Sequence, residues 1–376
     1  MNAVEYLKQL IPFPSVSNTS NAAISNRVSE MLTELQFEVE RLEYDDPNGV
    51  RKVSLVAKRG SGTGGFAYFA HTDVVPAEDW KGPQHSPFEP FVRDHRLYGR
   101  GSCDMKGSLA CLLAAASELG NQTLNAPLYV TCTADEEIGF GGAADVARRS
   151  EFYREMVEHD VRCVIGEPTE LSVVYAHKGV VGFHVTARGR AAHSSTREGV
   201  NANLAMIPFL QVMKEIHDET ETDRKWQNDE FDPPTVSWNI GINDHTHAYN
   251  ITPPQSVCTV YFRPMPGTDV EALLDRVKSA ASSNGLEYSE PIRGNPLYTH
   301  PESEFVKEML ALSGNTSAKT VAYGTDGSMF PELNRIVVYG PGSIAQAHTH
   351  DEFIELEQLE RGTQSYSRSI EEFCFK

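Results

Sequence analysis

Apolar and polar positions along the chain follow two alternating periods. A spacing of three to four residues predicts helices in "AVEYLKQLI" (3–11) and "NAAISNRVSEMLTEL" (21–35), and β-rich runs follow in "KVSLVAK" (52–58) and "FAYFAHTD" (66–73). Next come a helix over 106–119, a strand "PLYVTCTA" (127–134), a helix near 142–149 and a strand "RCVIGEP" (162–168). Strands that alternate with helices predict an α/β domain, an open sheet covered by helices on both faces. The middle of the chain has another texture: "GVVGFHVTARG" (179–189), a helix over 199–217, strands over 235–243 and 256–264, and a helix over 269–283. That β-α-β-β-α order predicts a small α+β unit with an antiparallel sheet. The α/β pattern returns in "RIVVYGPG" (335–342) and a closing helix near 355–372. The chain therefore reads as a catalytic domain (1–178 and 291–376) interrupted by an inserted lid (179–290). The segment "DETETDRKWQNDEFDPP" (218–234) reads as an exposed acidic loop.

Composition narrows the class. With 376 residues, 40% of them hydrophobic, the chain has ample material for a buried core and favours two domains. Its formal charge of −19 repels nucleic acid and anionic membranes, so neither is an expected partner. "MNAVEYLKQL" lacks the basic-then-apolar order of a secretion signal, and the apolar "SLACLLAAASELG" (108–120) is too short to span a bilayer. The six cysteines form no C-x-x-C pair and suit reduced thiols. These features make a cytoplasmic enzyme the expectation. "GSGTGG" (60–65) matches a dinucleotide fingerprint by letter but precedes a strand instead of following one, and reads as a turn.

Candidate chemistry collects where strands end. "TADEEIGFGG" sets Asp135, Glu136 and Glu137 side by side, and such crowding requires either solvent or a cation. In "FAHTDVVP", His71 and Asp73 sit two apart and share a face. They form either an ordinary strand-end polar pair or a metal ligand and its supporting carboxylate. In "GRGSCDMKGSLA" (99–110), Asp104 is either a helix cap or a carboxylate reaching into a shared site from a glycine-flanked turn. "VIGEPT" adds Glu167, and "GPGSIAQAHTHDEF" (340–353) adds His348 and His350. Taken together, these imidazoles and carboxylates have a composition suited to zinc or a similar transition metal.

The series "AHTDVVP", "GRGSCDMKG", "ADEEIG", "GEPT", "AHKG", "GRAAHSS" and "GPGSIAQAHTHDEF" resembles, in order and across most of the chain, the motifs of the di-zinc amidohydrolase family that includes acetylornithine deacetylase, succinyl-diaminopimelate desuccinylase and carboxypeptidase G. The wording resembles the acetylornithine deacetylase branch most. The resemblance implies that His71 and Glu167 hold one zinc, Glu137 and His348 the other, and that Asp104 bridges both, with cobalt or manganese as substitutes. It implies that Glu136 is the general acid/base, that Asp73 orients His71 and that the Asp104–Met105 peptide is cis. His348 is chosen over His350 because it stands four residues before Glu352, as the family pattern requires. The resemblance further implies a homodimer in which His193 donates to the oxyanion in the neighbouring subunit's site, and substrate contacts from Arg263, Asn250 and Thr325. It implies hydrolysis of an N-acyl amino acid: N-acetylornithine first, N-succinyl-diaminopimelate second, a dipeptide or other carboxypeptidase substrate third. A non-catalytic relative would be expected to lack a ligand or the base, and the full set is present.

Overall fold

The computed structural model describes residues 1–84, 86–246 and 248–376. The chain divides into two compact units: one of residues 1–176, 298–319 and 325–376, the other of residues 177–297 and 320–324.

The first unit is built on a nine-stranded mixed sheet whose path begins Glu38–Asp45, Arg51–Arg59, Leu128–Thr133, Phe66–His71, Arg162–Ile165, Ile336–Val338. The four strands from Leu128–Thr133 to Ile336–Val338 run parallel to one another, and Arg51–Arg59 and Glu38–Asp45 join antiparallel. Every residue of Phe66–His71 and Leu128–Thr133 is buried, which requires cover on both faces and explains their near-continuous apolar sequence. Helices Ala3–Leu10, Lys106–Glu118 and Leu356–Phe375 pack on one another, while Ala22–Glu34, Gly141–Arg149 and Glu151–Glu158 pack on Arg51–Arg59. The "SLACLLAAASELG" segment is thus a core helix, sheathed by its two neighbours. No helix of the described residues is long and apolar enough to cross a membrane.

The second unit is an antiparallel four-stranded sheet in the order Asn239–Asn243, Gln255–Phe262, Val180–Arg188, Glu287–Gly294, with helices Ala202–Thr222 and Val270–Ser283. Glu287–Gly294 extends the expected order by one strand. It was illegible because "EYSEPIRG" alternates exposed Glu287, Ser289, Pro291 and Arg293 with half-buried Tyr288, Glu290 and Ile292 at a sheet edge, so no apolar run marks it. The segment expected as a loop over 218–234 is partly helical: Ala202–Thr222 continues through its start, and a 3₁₀ turn follows at Arg224–Trp226. Its acids have cations to hold, since Glu219 pairs with Arg276 at 2.6 Å and Lys225 at 2.9 Å, and Trp226 Nε1 donates to it at 2.8 Å. Trp226 itself is buried.

"GSGTGG" is a turn. Gly65 has φ +93°, and a Cβ there would overlap the Pro127 carbonyl that accepts from the Phe66 amide at the strand's first residue. Gly65→Ala is therefore expected to cost about 1–3 kcal/mol by overpacking and backbone strain. Chemical denaturation measures it, and an unchanged midpoint would contradict this account of the turn.

Candidate metal centre

Parallel strands pointing the same way end at the same edge, and their register aligns His71 with Thr133, Phe69 with Ile165, and Ile165 with Val338. The residues just past each strand therefore meet at one place, as open α/β sheets arrange it. His71 closes its own strand; Glu136 and Glu137 form the 3₁₀ turn after Leu128–Thr133; Glu167 comes just after Arg162–Ile165; His348 comes just after the 3₁₀ turn Ile344–Gln346. Asp104 arrives from the other side of the sequence, in the turn before helix Lys106–Glu118, and its peptide with Met105 is cis.

The distances make one cluster. His71 Nε2 lies 3.0 Å from Asp104 Oδ1 and 3.7 Å from Glu167 Oε1. His348 Nε2 lies 3.3 Å from Asp104 Oδ2 and 3.0 Å from Glu137 Oε2. Asp104 thus offers one oxygen to each imidazole. Two sets of potential ligand atoms fall within 4.8 Å of one another: His71, Asp104 and Glu137, and His71, Glu136 and Glu167. Glu136 is therefore at the centre itself, within reach of anything bound there.

The electrostatics show what the cluster lacks. Burial and the charges of Glu167, Glu137 and Asp326 push the Glu136 carboxyl well above its usual range, and burial with Asp104 does the same to Glu167. Burial and Asp104 also raise Glu137. His71 would be lowered by burial, but its bond to Asp104 and the neighbouring carboxylates hold it well above the ordinary imidazole value. Bonds to Asp104 and Glu137 push His348 up to about 10. Among the described residues, the ion-pair partners of Asp104, Glu137 and Glu167 are these two imidazoles, and Glu137 Oε1 is buried without a hydrogen-bond partner. Oxygen and imidazole donors this close, with an acceptor left over, fit a divalent transition-metal site.

Other residues hold these side chains in place. His71 Nδ1 lies 2.9 Å from the backbone carbonyl of Asp73 and 3.6 Å from its carboxylate. The carboxylate of Asp73 instead accepts from Ser17 Oγ at 2.7 Å and from the amides of Glu136 and Glu137 at 3.2 and 3.3 Å. Asp135, at φ +59°, is buried and accepts from Lys52 Nζ and Tyr44 Oη, each at 2.6 Å. Lys52 also donates to the carbonyls of Ser17 and Thr19, so one buried ammonium ties the first loop to the acidic turn. Sequence reasoning missed Lys52 because alternation assigns a lysine at a strand start to solvent. It missed Asp326 too, which is buried, bonded to Thr133 Oγ1 and pushed up to about 7 by burial; "GTDGSMF" carried the only signal.

Thr325 is buried, and its Oγ1 accepts from the Gly327 amide at 3.1 Å. His350 is exposed, and its carbonyl accepts from the Lys81 amide at 2.6 Å. His193, Asn250 and Arg263 belong to the second unit. There His193 is exposed, bridged to Ile251, with Nδ1 2.8 Å from Ser195 Oγ. Exposed Asn250 accepts through its carbonyl from the Ser194 amide at 3.0 Å, and the half-buried Arg263 guanidinium lies 5.1 Å from the Tyr261 ring centroid.

A divalent-metal hydrolase is the class that this fold and cluster define. The model of peptidase family M20/M25/M40 matches residues 67–372, and the chain belongs to that family. It is 33% identical to acetylornithine deacetylase of Proteus mirabilis (strain HI4320), covering 99% of this chain and 96% of that one, and 32% identical to acetylornithine deacetylase of Myxococcus xanthus, covering 98% and 96%. Its fold is similar to that of an M20 family metallo-carboxypeptidase from Sulfolobus solfataricus, with TM-score 0.75, 16% identity and 98% of both chains covered. The protein is a metal-dependent amidohydrolase.

Two outcomes are expected of the centre. Pushed up to about 10, His348 carries a proton near neutral pH when no metal is bound, and a metal held by this imidazole must displace that proton. Zinc affinity should therefore rise with pH through neutrality. Titration calorimetry at pH 7 in buffers of different ionisation enthalpy should find net release of at least one proton, and zero release would contradict this electrostatic picture. Lys52→Met leaves Asp135 buried without its cation, a change expected to cost roughly 3–5 kcal/mol. Denaturation of the metal-free protein measures the loss, and a cost below about 1 kcal/mol, the range of a surface pair, would contradict it.

Proposed function

We propose that the protein removes the acyl group from the amine of an N-acylated amino acid, with N-acetylornithine as substrate and ornithine and acetate as products. The carrying observation is the cluster of His71, Asp104, Glu136, Glu137, Glu167 and His348 at the ends of parallel strands. The substrate reading draws on the identity to acetylornithine deacetylases along nearly the whole chain.

In this reading His71 and Glu167 hold one zinc ion, Glu137 and His348 hold a second, and Asp104 is shared. Bound there, the ions polarise the scissile carbonyl and make water acidic enough to attack near neutral pH. Glu136 takes the proton of the attacking water as its oxygen bonds to the acyl carbon, then returns it to the departing amine as the carbon–nitrogen bond breaks. A raised carboxyl pKa suits both halves of that task, and Asp73 fixes the base by gripping its backbone amide. Asp135 stiffens the same turn from behind through Lys52 and Tyr44. Arg263, with a fork matched to two carboxylate oxygens, together with Asn250 and Thr325, serves substrate recognition.

A homodimer belongs to the proposal. Within the second unit, Leu204, Ile207 and Ile242 are exposed on helix Ala202–Thr222 and edge strand Asn239–Asn243, and Ile207 and Ile242 line one groove. An unpaired strand edge beside apolar side chains suits a second copy of the chain. His193 would then donate to the oxyanion in the neighbouring subunit's site. The six reduced, buried cysteines accord with a cytoplasmic setting.

The test is a panel of N-acetylornithine, N-succinyl-diaminopimelate and dipeptides, assayed with and without a chelator. Chelator-reversible hydrolysis with the highest kcat/KM for N-acetylornithine is expected; a clear preference for another member would overturn the substrate, and no metal-dependent hydrolysis would overturn the function. Glu136→Gln should keep metal stoichiometry while lowering kcat by about 10²–10⁴-fold. Retained turnover would remove Glu136 from its role.

A further inference from the structure

His348 reaches the centre from an unpromising position. Its side chain is 54% exposed, its φ is +62°, and no helix or strand contains it. A ligand presented by such a loop needs an external hold. Four residues later, Glu352 is buried to 1% exposure and supplies one.

Both oxygens of the Glu352 carboxylate are saturated by one short turn. Oε2 accepts from Arg100 Nη1 and from the Gly101 amide, each at 2.9 Å; Oε1 accepts from the amides of Cys103 and Asp104 at 2.8 and 3.0 Å. The Glu352 carbonyl accepts from the Gly99 amide at 3.1 Å. Just beyond, Phe353–Glu355 pairs antiparallel with Arg96–Tyr98, and Cys103 Sγ donates to the Ser343 carbonyl at 3.3 Å. Arg100 is buried as well and reaches the Pro76 carbonyl at 3.2 Å. One carboxylate thus orients the turn that aims Asp104, and the segment bearing that carboxylate also delivers His348. A helix cap or a surface ion pair needs no such convergence. Three amides of one turn and a guanidinium around one anion form a fixed cradle.

We propose that Glu352 is the positioning residue that sets Asp104 and His348 relative to one another, so that two ligands 244 residues apart in sequence converge on one ion. The inference rests on the reading of these residues as a metal centre. It does not require Glu352 to touch metal or substrate. Its chemistry is specific to a carboxylate, because glutamine of the same size would turn an NH₂ group toward two N–H donors and lose both bonds.

The experiment is zinc titration of the metal-free protein against a chromophoric chelator, with thermal melting in the presence and absence of zinc, for wild type, Glu352→Gln, Arg100→Lys and Asp104→Asn. Glu352→Gln is expected to weaken zinc binding about 10–100-fold, the usual cost of removing a partner that orients ligands. The zinc-induced rise in Tm should shrink with it, and at saturating zinc kcat should recover with KM unchanged. Arg100→Lys, which disturbs one of the four bonds, should show the same loss on a smaller scale. If Glu352→Gln melts lower without zinc yet binds zinc as wild type does, its role is structural only and the proposal falls. If that variant does not fold, a folded Arg100→Lys with unchanged zinc affinity overturns the proposal just as well. Asp104→Asn separates the two levels. Wild-type zinc binding by this variant would remove the metal centre and the proposal together, whereas loss of binding there beside full affinity in Glu352→Gln removes the proposal alone.

Discussion

Four carboxylates and two imidazoles share a space in which their ligand atoms lie within a few ångströms, and His71, Asp104 and Glu167 among them are buried. Like charges taken out of water repel and raise one another's pKa, so this arrangement is sustainable only if a cation or protons enter it. Protons answer that need in part, as His348 pushed up to about 10 shows, and a divalent metal is the functional answer. The rest of the first unit can be understood as the apparatus that keeps these groups together despite their mutual repulsion.

That apparatus has three parts, two of them anchored on buried groups that never enter the centre. The parallel strands bring their ends to one edge and fix the height of His71, Glu137 and Glu167. Lys52 neutralises Asp135 and ties the first loop to the acidic turn, while Asp73 holds the amides of Glu136 and Glu137. Glu352 and Arg100 form a buried pair around the turn that presents Asp104. A buried pair is weak as a source of net stability but expensive to break. Such pairs are well suited to holding geometry.

Much of the fold and centre was legible in the sequence. The fully buried strands Phe66–His71 and Leu128–Thr133 announce themselves as continuous apolar runs, and a polar residue at the end of such a run stands out against them. His71, Glu136, Glu137 and Glu167 are visible for that reason, Asp104 stands out in its glycine-flanked turn, and the family resemblance chose His348 over His350. The supporting groups were not legible. Lys52 begins a strand where a solvated lysine is ordinary, and Glu352 lies in a run of polar loop residues where nothing local says that its partners sit some 250 positions earlier. Edge strand Glu287–Gly294 and the helical start of the acidic segment were missed on similar grounds: their stability comes from pairing partners and ion pairs distant in sequence, which override local composition.

The proposed assignment of roles within the acidic doublet and to Asp104 is the centre of this account. Anomalous diffraction at the zinc edge from crystals of the zinc-loaded protein tests it most directly. Two ions are predicted, with Asp104 between them, His71 and Glu167 on one, Glu137 and His348 on the other, and Glu136 outside both. A single ion bound without Asp104, or an ion ligated by Glu136 in place of Glu167, would contradict it.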